Sequence, residues 1–497
     1  MRRITNKLHT IIVSDLHLSD AEAADPNRPL WKKFRRKEYF IDQPFQDFLR
    51  FMESETGKEP IELVLNGDIF DFDSVMSIPE NPEYHIKSYE KRLGLNAMEE
   101  KSVFKIKTIM EDHSIWTTAL SQFIQHGHQV VFVIGNHDIE LNWVSVQEMV
   151  IKQLKLPEEL KGNVRFCEWF YISQGDTLIE HGHQYDPYCM ALNPINPVIK
   201  KNGKFKIRLP FGNLANRFMI NNMGLKNPHC DSSFVKSTWE FVVFFFEYEV
   251  RTQPFMGITW FLGAMRTLIY SIGEGLLPAL KDPLTFDDRL KNIARKSNST
   301  PQMVLTLKEN HAHPAVMRPL MILRELWLDR AFLIFAILAG SWQIFTTSMI
   351  FADLSLWWFM IPIAIATPFF LYYAHGISSN VHANQNLALD HSPLSAQACQ
   401  VSRIVMGHTH NERHLKLKDS EYLNTGTWSP IFEDLECSNM HGNKLFVWIN
   451  PNKEREAALY SWDEDSISLT DHSIKYFEKY GKCSKNQEPN LGYNPRR

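Results

Sequence analysis

Short apolar runs alternate with longer amphipathic stretches between residues 9 and 180 of this chain. Runs rich in β-branched residues indicate buried strands, whereas apolar residues repeated every three or four positions indicate helices packed on one face. The predicted strands are residues 9–13, 61–65, 129–134, 164–172 and 177–180, and the predicted helices are residues 44–52, 103–125 and 144–154. Because strands and helices alternate, we predict a layered α/β fold.

A region of different character follows and delays the next strand of this kind until residues 403–406. Its first part, residues 193–212, is rich in Asn, Pro and Gly, a composition typical of irregular loops. We therefore predict a core built from residues 1–186 and 401–478, an insertion or cap at residues 187–400, and a polar tail at residues 479–497.

Two uncharged runs, residues 331–351 and 354–374, lie inside this insertion. Each is long enough to cross the hydrocarbon core of a bilayer, which needs about 20 helical residues. Only two residues separate the runs, so we predict a tight transmembrane helical hairpin. The alternative is a pair of helices buried inside a large soluble domain.

The charges around the hairpin predict its orientation. The cations before the first run are Arg318, Arg324 and Arg330, and the connector between the two runs has no Lys or Arg. An even number of crossings keeps both core segments on one side, and the positive-inside tendency makes that side the cytoplasm. Residues 239–277 are also apolar, but charged residues, among them Glu240, Glu247, Glu249, Arg251 and Arg266, interrupt them. They are predicted to be either an interfacial segment or helices that pack the cap against the core.

Composition narrows the class of protein. The chain has 497 residues and 58.0 kDa, a length that predicts a core plus a large addition. A net charge of -4 with 22% charged residues gives no general attraction to nucleic acid, so no specific nucleic-acid binding is expected. The six cysteines form no CxxC pair, which fits a reducing compartment better than a disulfide framework. No signal peptide is expected from residues 1–8.

Five short clusters of metal-binding side chains are distributed along the chain, and four directly follow an apolar, β-branched run. They are Asp15-Leu-His17, Gly67-Asp68, Gly135-Asn136-His137-Asp138, His181-Gly-His183 and Gly407-His408-Thr-His410. In α/β sheets the strand ends carry the functional sites. Carboxylate, amide and imidazole ligands without cysteine suit Mn²⁺, Fe, Zn²⁺ or Mg²⁺. Two such ions roughly 3.5–4 Å apart support in-line attack on phosphorus, so the clusters predict a two-metal hydrolase.

The spacing inside the clusters fits this chemistry. Asp15 and His17 are two residues apart, so in extended backbone their side chains point to one face and could hold one ion. His408 and His410 repeat this spacing. The two carboxylate oxygens of Asp68 suit a bridge between cations. Each motif alone could instead be a turn or a helix cap, but the five together favour a metal site.

This ordered set resembles the calcineurin-like metallophosphoesterase superfamily, whose signature is DxH, GDxxD, GNH(D/E), a single His and then GHxH. The resemblance covers about half the chain and implies an α/β fold, a four-layer αββα sandwich, to which the insertion with its transmembrane hairpin would be added. It also implies two divalent metal ions, with Mn²⁺ favoured over Fe, Zn²⁺ or Mg²⁺, and a metal-activated hydroxide as the nucleophile.

The resemblance also implies roles for individual residues. One metal would be held by Asp15, His17 and His410, the other by Asn136, His181 and His408, and Asp68 would bridge them. His137, oriented by Asp71, would stabilise the transferring phosphoryl group or protonate the leaving oxygen. His183 is predicted to face the substrate or support a ligand, with metal binding as its alternative role.

The hairpin and the metal motifs together predict a membrane-anchored phosphohydrolase that cleaves a phosphoester or pyrophosphate bond, with an amphiphilic or lipid-linked substrate as the favoured class. UDP-diacylglucosamine pyrophosphatases are membrane-associated relatives of this general kind, although their His-Gly-Asp element is His181-Gly-His183 here. Two alternatives remain. One is a phosphodiesterase or phosphomonoesterase that acts on soluble nucleotides and is merely tethered. The other is a nonenzymatic membrane scaffold stabilised by metal.

Overall fold

The structure is a computed structural model of the chain. It describes residues 8–57, 59–225, 227, 243, 245–250, 253–278, 283–377, 387–417, 419–432, 434–438, 440–441, 444–453 and 456–473. The predicted tail at residues 479–497 therefore lies outside the described residues, as does part of the segment 239–277.

The described strands and helices are numbered here in chain order. The strands are β1 (His9–Val13), β2 (Ile61–Asn66), β3 (Gln129–Val133), β4 (Val164–Cys167), β5 (Phe170–Ser173), β6 (Thr177–Glu180), β7 (Val198–Lys201), β8 (Lys204–Ile207), β9 (Arg403–Met406), β10 (Arg413–Lys416), β11 (Glu421–Asn424), β12 (Ile431–Phe432), β13 (Met440–His441), β14 (Lys444–Ile449), β15 (Ala457–Asp463) and β16 (Ser468–Asp471). The helices are α1 (Asp42–Glu55), α2 (Glu90–Leu93), α3 (Glu99–Asp112), α4 (Ser114–Gln125), α5 (Val144–Leu154), α6 (Phe211–Ala215), α7 (Met256–Gly275), α8 (Pro283–Lys296), α9 (Pro301–Glu309), α10 (Pro319–Glu325), α11 (Leu328–Ser348), α12 (Met360–Gly376) and α13 (Leu387–Cys399).

Two mixed sheets form the centre of the fold. The first has the order β16-β15-β14-β1-β2-β3-β4, with β1 to β4 parallel and β14 antiparallel to β1. The second has the order β10-β11-β9-β6-β5, and β9 runs parallel to both β6 and β11. The pairing of β6 with β9 joins segments that the whole insertion separates in sequence. It therefore unites the two predicted halves of the core.

The two sheets pack face to face and are covered by helices on both outer sides. Ile12 and Val64 of the first sheet share a buried cluster with Ile179 and Val405 of the second. Helices α1, α3, α4 and α5 cover the other face of the first sheet, whereas α8, α9 and α13 cover that of the second. The predicted α/β class and the four-layer αββα sandwich are thus confirmed. Helices α8, α9 and α13 lie within the range 187–400, so part of this range forms a layer of the sandwich.

Two predicted elements were wrong in their extent. The run 164–172 is divided between β4 and β5, which belong to different sheets, because the chain crosses from one sheet to the other at Glu168 and Trp169. The run 103–125 forms two helices that meet at His113. The buried His113 ring lies 2.6 Å from a carboxylate oxygen of Asp42 and 2.9 Å from a backbone carbonyl, so it fastens the break to neighbouring elements.

Helix α7 in the cap has two different faces. Its small residues Gly263, Ala264 and Thr267 are buried against the rest of the cap. The opposite face exposes Ile258 and Leu262, each 60% accessible, and Ile269. Helix α7 therefore packs into the cap with one face and presents an apolar surface with the other.

Helices α11 and α12 form a protruding hairpin close to the predicted runs 331–351 and 354–374. A turn at Leu356–Phe359 extends the second helix, and both resulting helices are long and apolar enough to cross a membrane. Only 11% and 0% of their apolar windows are buried in the described structure, so they are not the buried helix pair of the alternative interpretation. Both ends of the hairpin meet at its base, where the Arg330 guanidinium donates to the Ile377 carbonyl at 2.9 Å.

Candidate metal centre

All seven predicted metal ligands lie where strands of the two sheets end. They follow β1 (Asp15, His17), β2 (Asp68), β3 (Asn136), β6 (His181) and β9 (His408, His410). Strands β1, β2 and β3 are parallel to one another, and β6 is parallel to β9, so within each sheet the carboxyl ends of these strands lie on the same side. The fold therefore brings together side chains that are almost 400 residues apart.

The first group of ligands consists of Asp15, His17 and His410. The Nε2 atoms of the two histidines are 3.2 Å apart, and the Oδ1 atom of Asp15 lies 3.2 Å from His410 Nε2 and 3.9 Å from His17 Nε2. Ligands about 2.1 Å from a tetrahedral ion are about 3.4 Å from each other. The three atoms thus have the spacing of ligands around one cation.

The second group consists of Asp68, His181 and His408. The Nδ1 atom of His181 lies 2.9 Å from the Asn66 carbonyl, which fixes its proton there and turns Nε2 toward the site, 3.1 Å from an oxygen of Asp68. The amide oxygen of Asn136 is buried and has no hydrogen-bond partner among the described residues. A buried oxygen of this kind costs free energy unless it binds a ligand, so it fits a cation.

Asp68 lies between the two groups. It belongs to the second group and also shares a cluster with His17 of the first. Burial alone would raise the pKa of this carboxyl, but the nearby His181, His137 and His17 hold its pKa well below the usual value. Asp68 is therefore ionised and lies within reach of histidines from both ligand groups.

The backbone of five ligands is left-handed. The φ angles are 55° at Asp15, 51° at His17, 52° at Asp68, 66° at His408 and 53° at His410. The prediction that the Asp-x-His and His-x-His pairs lie in extended backbone was therefore wrong, because each strand has already ended. Non-glycine residues in this region are strained, and such strain concentrates where a site needs side chains in fixed positions.

Glycines at two of the motifs let these loops approach closely. A Cβ atom at Gly407 would lie 2.6 Å from Oδ2 of Asp15, and one at Gly135 would overlap the carboxylate of Asp68. A side chain at either position would therefore displace a predicted ligand.

His137 lies beside the ligand groups with carboxylates around it. Its Nδ1 atom is 3.3 Å from an oxygen of Asp71 and 3.5 Å from one of Asp73, and its backbone N–H donates to Asp68 at 2.8 Å. Burial lowers the pKa of this imidazole, but Asp71 and Asp68 outweigh burial and raise it well above the usual value. His137 is 15% exposed at its side chain. A protonated imidazole here is suited to donating a proton or stabilising negative charge.

Three further carboxylates, for which no individual role was predicted, support the site. Asp138 accepts the backbone N–H groups of Ile69, at 2.9 Å, and of Gly135, and so ties two ligand loops together. Burial raises the pKa of Asp138 to about 7. Asp186 lies 3.2 Å from Nε2 of His408 and orients that ring, whereas Asp73 faces His137. Asp138 is the last residue of the third motif, whereas Asp73 and Asp186 stand two and three residues after Asp71 and His183, and this proximity is the signal that could have found them.

Asn213 of helix α6 connects the cap to the same site. Its fully buried side chain donates to a carboxylate oxygen of Asp73 and, at 2.8 Å, to the backbone carbonyl of Asn136. The sequence around it resembles a loop, and an asparagine in such a region carries no signal of contact with a distant site.

His183 is buried beside these ligands. Its ring centroid is 5.4 Å from that of His181, and it contributes no atom to the ligand groups found among the described residues. Burial, together with His181 and His408, lowers the pKa of His183 well below the usual value, so the ring is neutral.

A family model described as calcineurin-like phosphoesterase matches residues 8–206. No curated protein matches the chain, so the similarity to UDP-diacylglucosamine pyrophosphatases gains no support. The matched range ends before His408 and His410, and it is strand β9 that delivers these two residues to the site.

Proposed function

We propose that the chain, whose residues 8–206 match the calcineurin-like phosphoesterase family, is a membrane-anchored phosphohydrolase that uses two divalent cations, with Mn²⁺ favoured over Fe, Zn²⁺ or Mg²⁺. It cleaves a phosphoester or pyrophosphate bond of an amphiphilic substrate. The observation that carries this proposal is the pair of ligand groups on either side of Asp68.

The residues have distinct tasks in such a reaction. Cations in these sites supply Lewis-acid stabilisation of the phosphoryl oxygens and a water activated at neutral pH, so no serine or cysteine nucleophile is needed. Asp15, His17 and His410 would hold one ion, and Asn136, His181 and His408 the other. Asp71 and Asp73 keep the Nδ1 proton of His137 in place, so that Nε2 can donate a proton to the leaving oxygen.

The hairpin supports membrane attachment. Each of its two helices has 21 residues, which corresponds to about 30 Å of helix and matches the hydrocarbon thickness of a bilayer. Aromatic side chains near the turn are freely exposed, with Phe351 at 85% and Trp357 at 81%. An apolar surface of this size is unfavourable in water and favourable in lipid. Arg318 and Arg324 before the first helix support a cytoplasmic position for the catalytic sandwich.

The position of the cap supports an amphiphilic substrate. Helix α7 presents an apolar face and touches the hairpin through Phe261, whose ring lies 5.5 Å from that of Phe335. The same cap contacts the metal centre through Asn213. A substrate with one end in the bilayer and a phosphate outside it would meet both surfaces.

The catalytic part of the proposal is tested with purified full-length protein in nonionic detergent, supplied with Mn²⁺ and generic phosphodiesters. We expect Asp68→Ala to lose both bound metal and activity, because it removes the shared ligand. His137→Ala should retain metal and turn over roughly 10²- to 10⁴-fold more slowly, the usual size of general acid–base catalysis. The matched controls are Asp287→Ala and His313→Ala, which alter exposed residues away from the site. Equal rates in wild type and all four variants would contradict the site assignment.

The substrate class is tested by comparing lipid-linked pyrophosphates with soluble nucleotide esters. A variant in which a short Gly-Ser linker replaces residues 331–374 is expected to lose turnover of the lipid-linked substrates only. Unchanged turnover of these substrates would reject the lipid proposal and favour the tethered nucleotide hydrolase. Absence of any hydrolysis by metal-replete wild type would instead favour the scaffold.

A further inference from the structure

Five lysines surround one cavity that is separate from the metal centre. The cavity has a volume of about 210 Å³ and is walled by the segment before helix α3, the β7–β8 hairpin and helix α7. Its lysines are Lys87, Lys101, Lys201, Lys204 and Lys206. We call it the lysine cavity.

Carboxylates neutralise only part of this charge. Glu90 pairs with Lys101 at 2.7 Å, and Glu274 pairs with Lys201 at 3.1 Å and with Lys206. Lys87 and Lys204 form no ion pair with any carboxylate among the residues that the structure describes. The cavity therefore has an excess of positive charge.

Part of this charge is held away from water. The side chain of Lys101 is 2% exposed and that of Lys206 is 15% exposed. Burial lowers the pKa of both ammonium groups, and Lys204 further lowers that of Lys101. Like charges in a partly buried wall repel each other strongly, since the local dielectric constant is lower than in water. A bound anion would relieve this repulsion.

Helix α7 connects the cavity to the apolar surface of the cap. Tyr270 of α7 forms part of the cavity wall, Glu274 of the same helix accepts a hydrogen bond from the cavity lysine Lys201, and the Lys201 ammonium lies 4.7 Å from the Tyr270 ring centroid. Ile269, the residue before Tyr270, is 61% exposed on the free face of the same helix. A polar, cationic recess therefore borders an apolar surface that continues toward the hairpin through Phe261.

We propose that the lysine cavity is a second phosphate-binding site, which takes a phosphate monoester or diester anion. Lysine ammonium groups bind phosphate as point charges and do not require a planar ligand. The neighbouring apolar face of α7 favours the headgroup of an anionic phospholipid, because basic side chains beside a membrane surface attract such lipids. The choice of a phospholipid as the source of the phosphate is the only part of this proposal that rests on the proposed membrane attachment. A soluble phosphate compound would bring the same chemistry.

The test uses purified full-length protein in dodecyl maltoside micelles with EDTA, so that phosphate has no metal to bind and the outcome does not depend on hydrolysis. Binding of pyrene-labelled phosphatidylglycerol and phosphatidylcholine is followed by energy transfer from tryptophan, and inorganic phosphate is titrated by calorimetry. The variant is Lys87→Glu with Lys204→Glu. The charge-matched control is Lys200→Glu with Lys291→Glu, at exposed lysines outside the cavity wall. Melting temperatures verify that all proteins are folded.

We expect phosphatidylglycerol to bind at least about tenfold more tightly than phosphatidylcholine, and this preference to disappear in the cavity variant but not in the control. If inorganic phosphate binds and only the cavity variant loses it, while the two lipids bind equally, the site stands and its ligand is soluble. The proposal is overturned if the cavity variant and its control bind every probe alike. It is equally overturned if the wild-type protein does not prefer phosphatidylglycerol to phosphatidylcholine and does not bind inorganic phosphate.

Discussion

The buried ion pair between Lys105 of α3 and Glu140 provides the sharpest test of how the catalytic loops are supported. The side chains are 1% and 0% exposed and in direct contact. Glu140 also accepts a hydrogen bond from Ser102, and Lys105 donates to the backbone carbonyl of Phe72 at 3.4 Å. Phe72 lies next to Asp71, and Glu140 stands three residues after His137. The ion pair thus supports the two loops that carry Asp71 and His137.

The substitution Lys105→Met keeps the length of the side chain and removes its charge. Glu140 is then left buried without a counter-ion, a change that typically destabilises by about 3–5 kcal/mol. For a domain of 150–250 residues this corresponds to a melting temperature roughly 6–20 °C lower. The matched control is Lys107→Met on the same helix, whose ammonium is half-exposed and 3.7 Å from an exposed Glu111. An exposed pair contributes about 0–1 kcal/mol, so this variant should melt close to wild type.

The pH dependence of melting identifies why Lys105→Met is less stable than wild type. Burial raises the pKa of Glu140 above its ordinary value of 4.5, and removing Lys105 raises it further because the opposing cation is gone. A carboxyl with a raised folded-state pKa binds more protons when folded than when unfolded, so stability falls as pH rises through this range. The deficit of Lys105→Met should therefore be large at pH 8 and shrink toward pH 5. The double variant Lys105→Met with Glu140→Gln should recover most of the loss at pH 8.

Melting of detergent-solubilised protein, followed by intrinsic fluorescence at several pH values, measures these differences. A bracing role for this ion pair is refuted if Lys105→Met melts within about 2 °C of Lys107→Met at pH 8. It is also refuted if the deficit is the same at pH 8 and pH 5, because an unpaired buried carboxylate must respond to protonation.

Three further changes test other parts of the structure. Asn213→Ala removes a donor to the carboxylate of Asp73, a hydrogen bond worth about 1.5–3 kcal/mol, so kcat should fall about tenfold or more while KM changes little; an unchanged kcat would contradict the contact. Gly407→Ala places a Cβ atom 2.6 Å from Asp15 Oδ2, and metal content measured by mass spectrometry should drop below that of wild type. Burial lowers the pKa of His311 from 6.5 to about 3, so the unfolded chain binds one more proton than the folded chain below pH 6.5. The free energy of unfolding should therefore decrease by about 1.4 kcal/mol for each pH unit below 6.5. The melting temperature of His311→Phe should change less than that of wild type between pH 7.5 and pH 5.5.

The order of elements and the region of the site could be predicted because both depend on local patterns. A β-branched run followed by Asp, Asn or His marks a buried strand and its end, and the carboxyl ends of parallel strands converge whatever joins them. This is why residues 9–13 and 403–406 indicated a common edge without any knowledge of the insertion. The uncharged runs near residues 331–374 were equally readable, since length and apolarity suffice to indicate a helix of bilayer dimensions.

Other features depend on packing that a sequence pattern does not encode. The run 164–172 is mostly apolar, and its composition does not indicate that β4 and β5 belong to different sheets. Helices α8, α9 and α13 were assigned to the cap because they follow the Asn- and Pro-rich segment, yet their apolar faces cover the second sheet. The left-handed backbone at Asp15 and His408 is set by the loops that surround each residue, not by its own preference.

The contacts of the cap connect the helical hairpin to the candidate metal centre. Phe332 of the hairpin contacts Phe261 of α7, and the Tyr270 ring of α7 lies 4.9 Å from Phe218, which follows α6. Helix α6 in turn carries Asn213, which holds Asp73 beside His137. A flexible tether would need none of these packed links. Under the proposed function, such a series of contacts would fix the distance and angle between the bilayer surface and the metal centre, as a substrate that approaches from that surface requires.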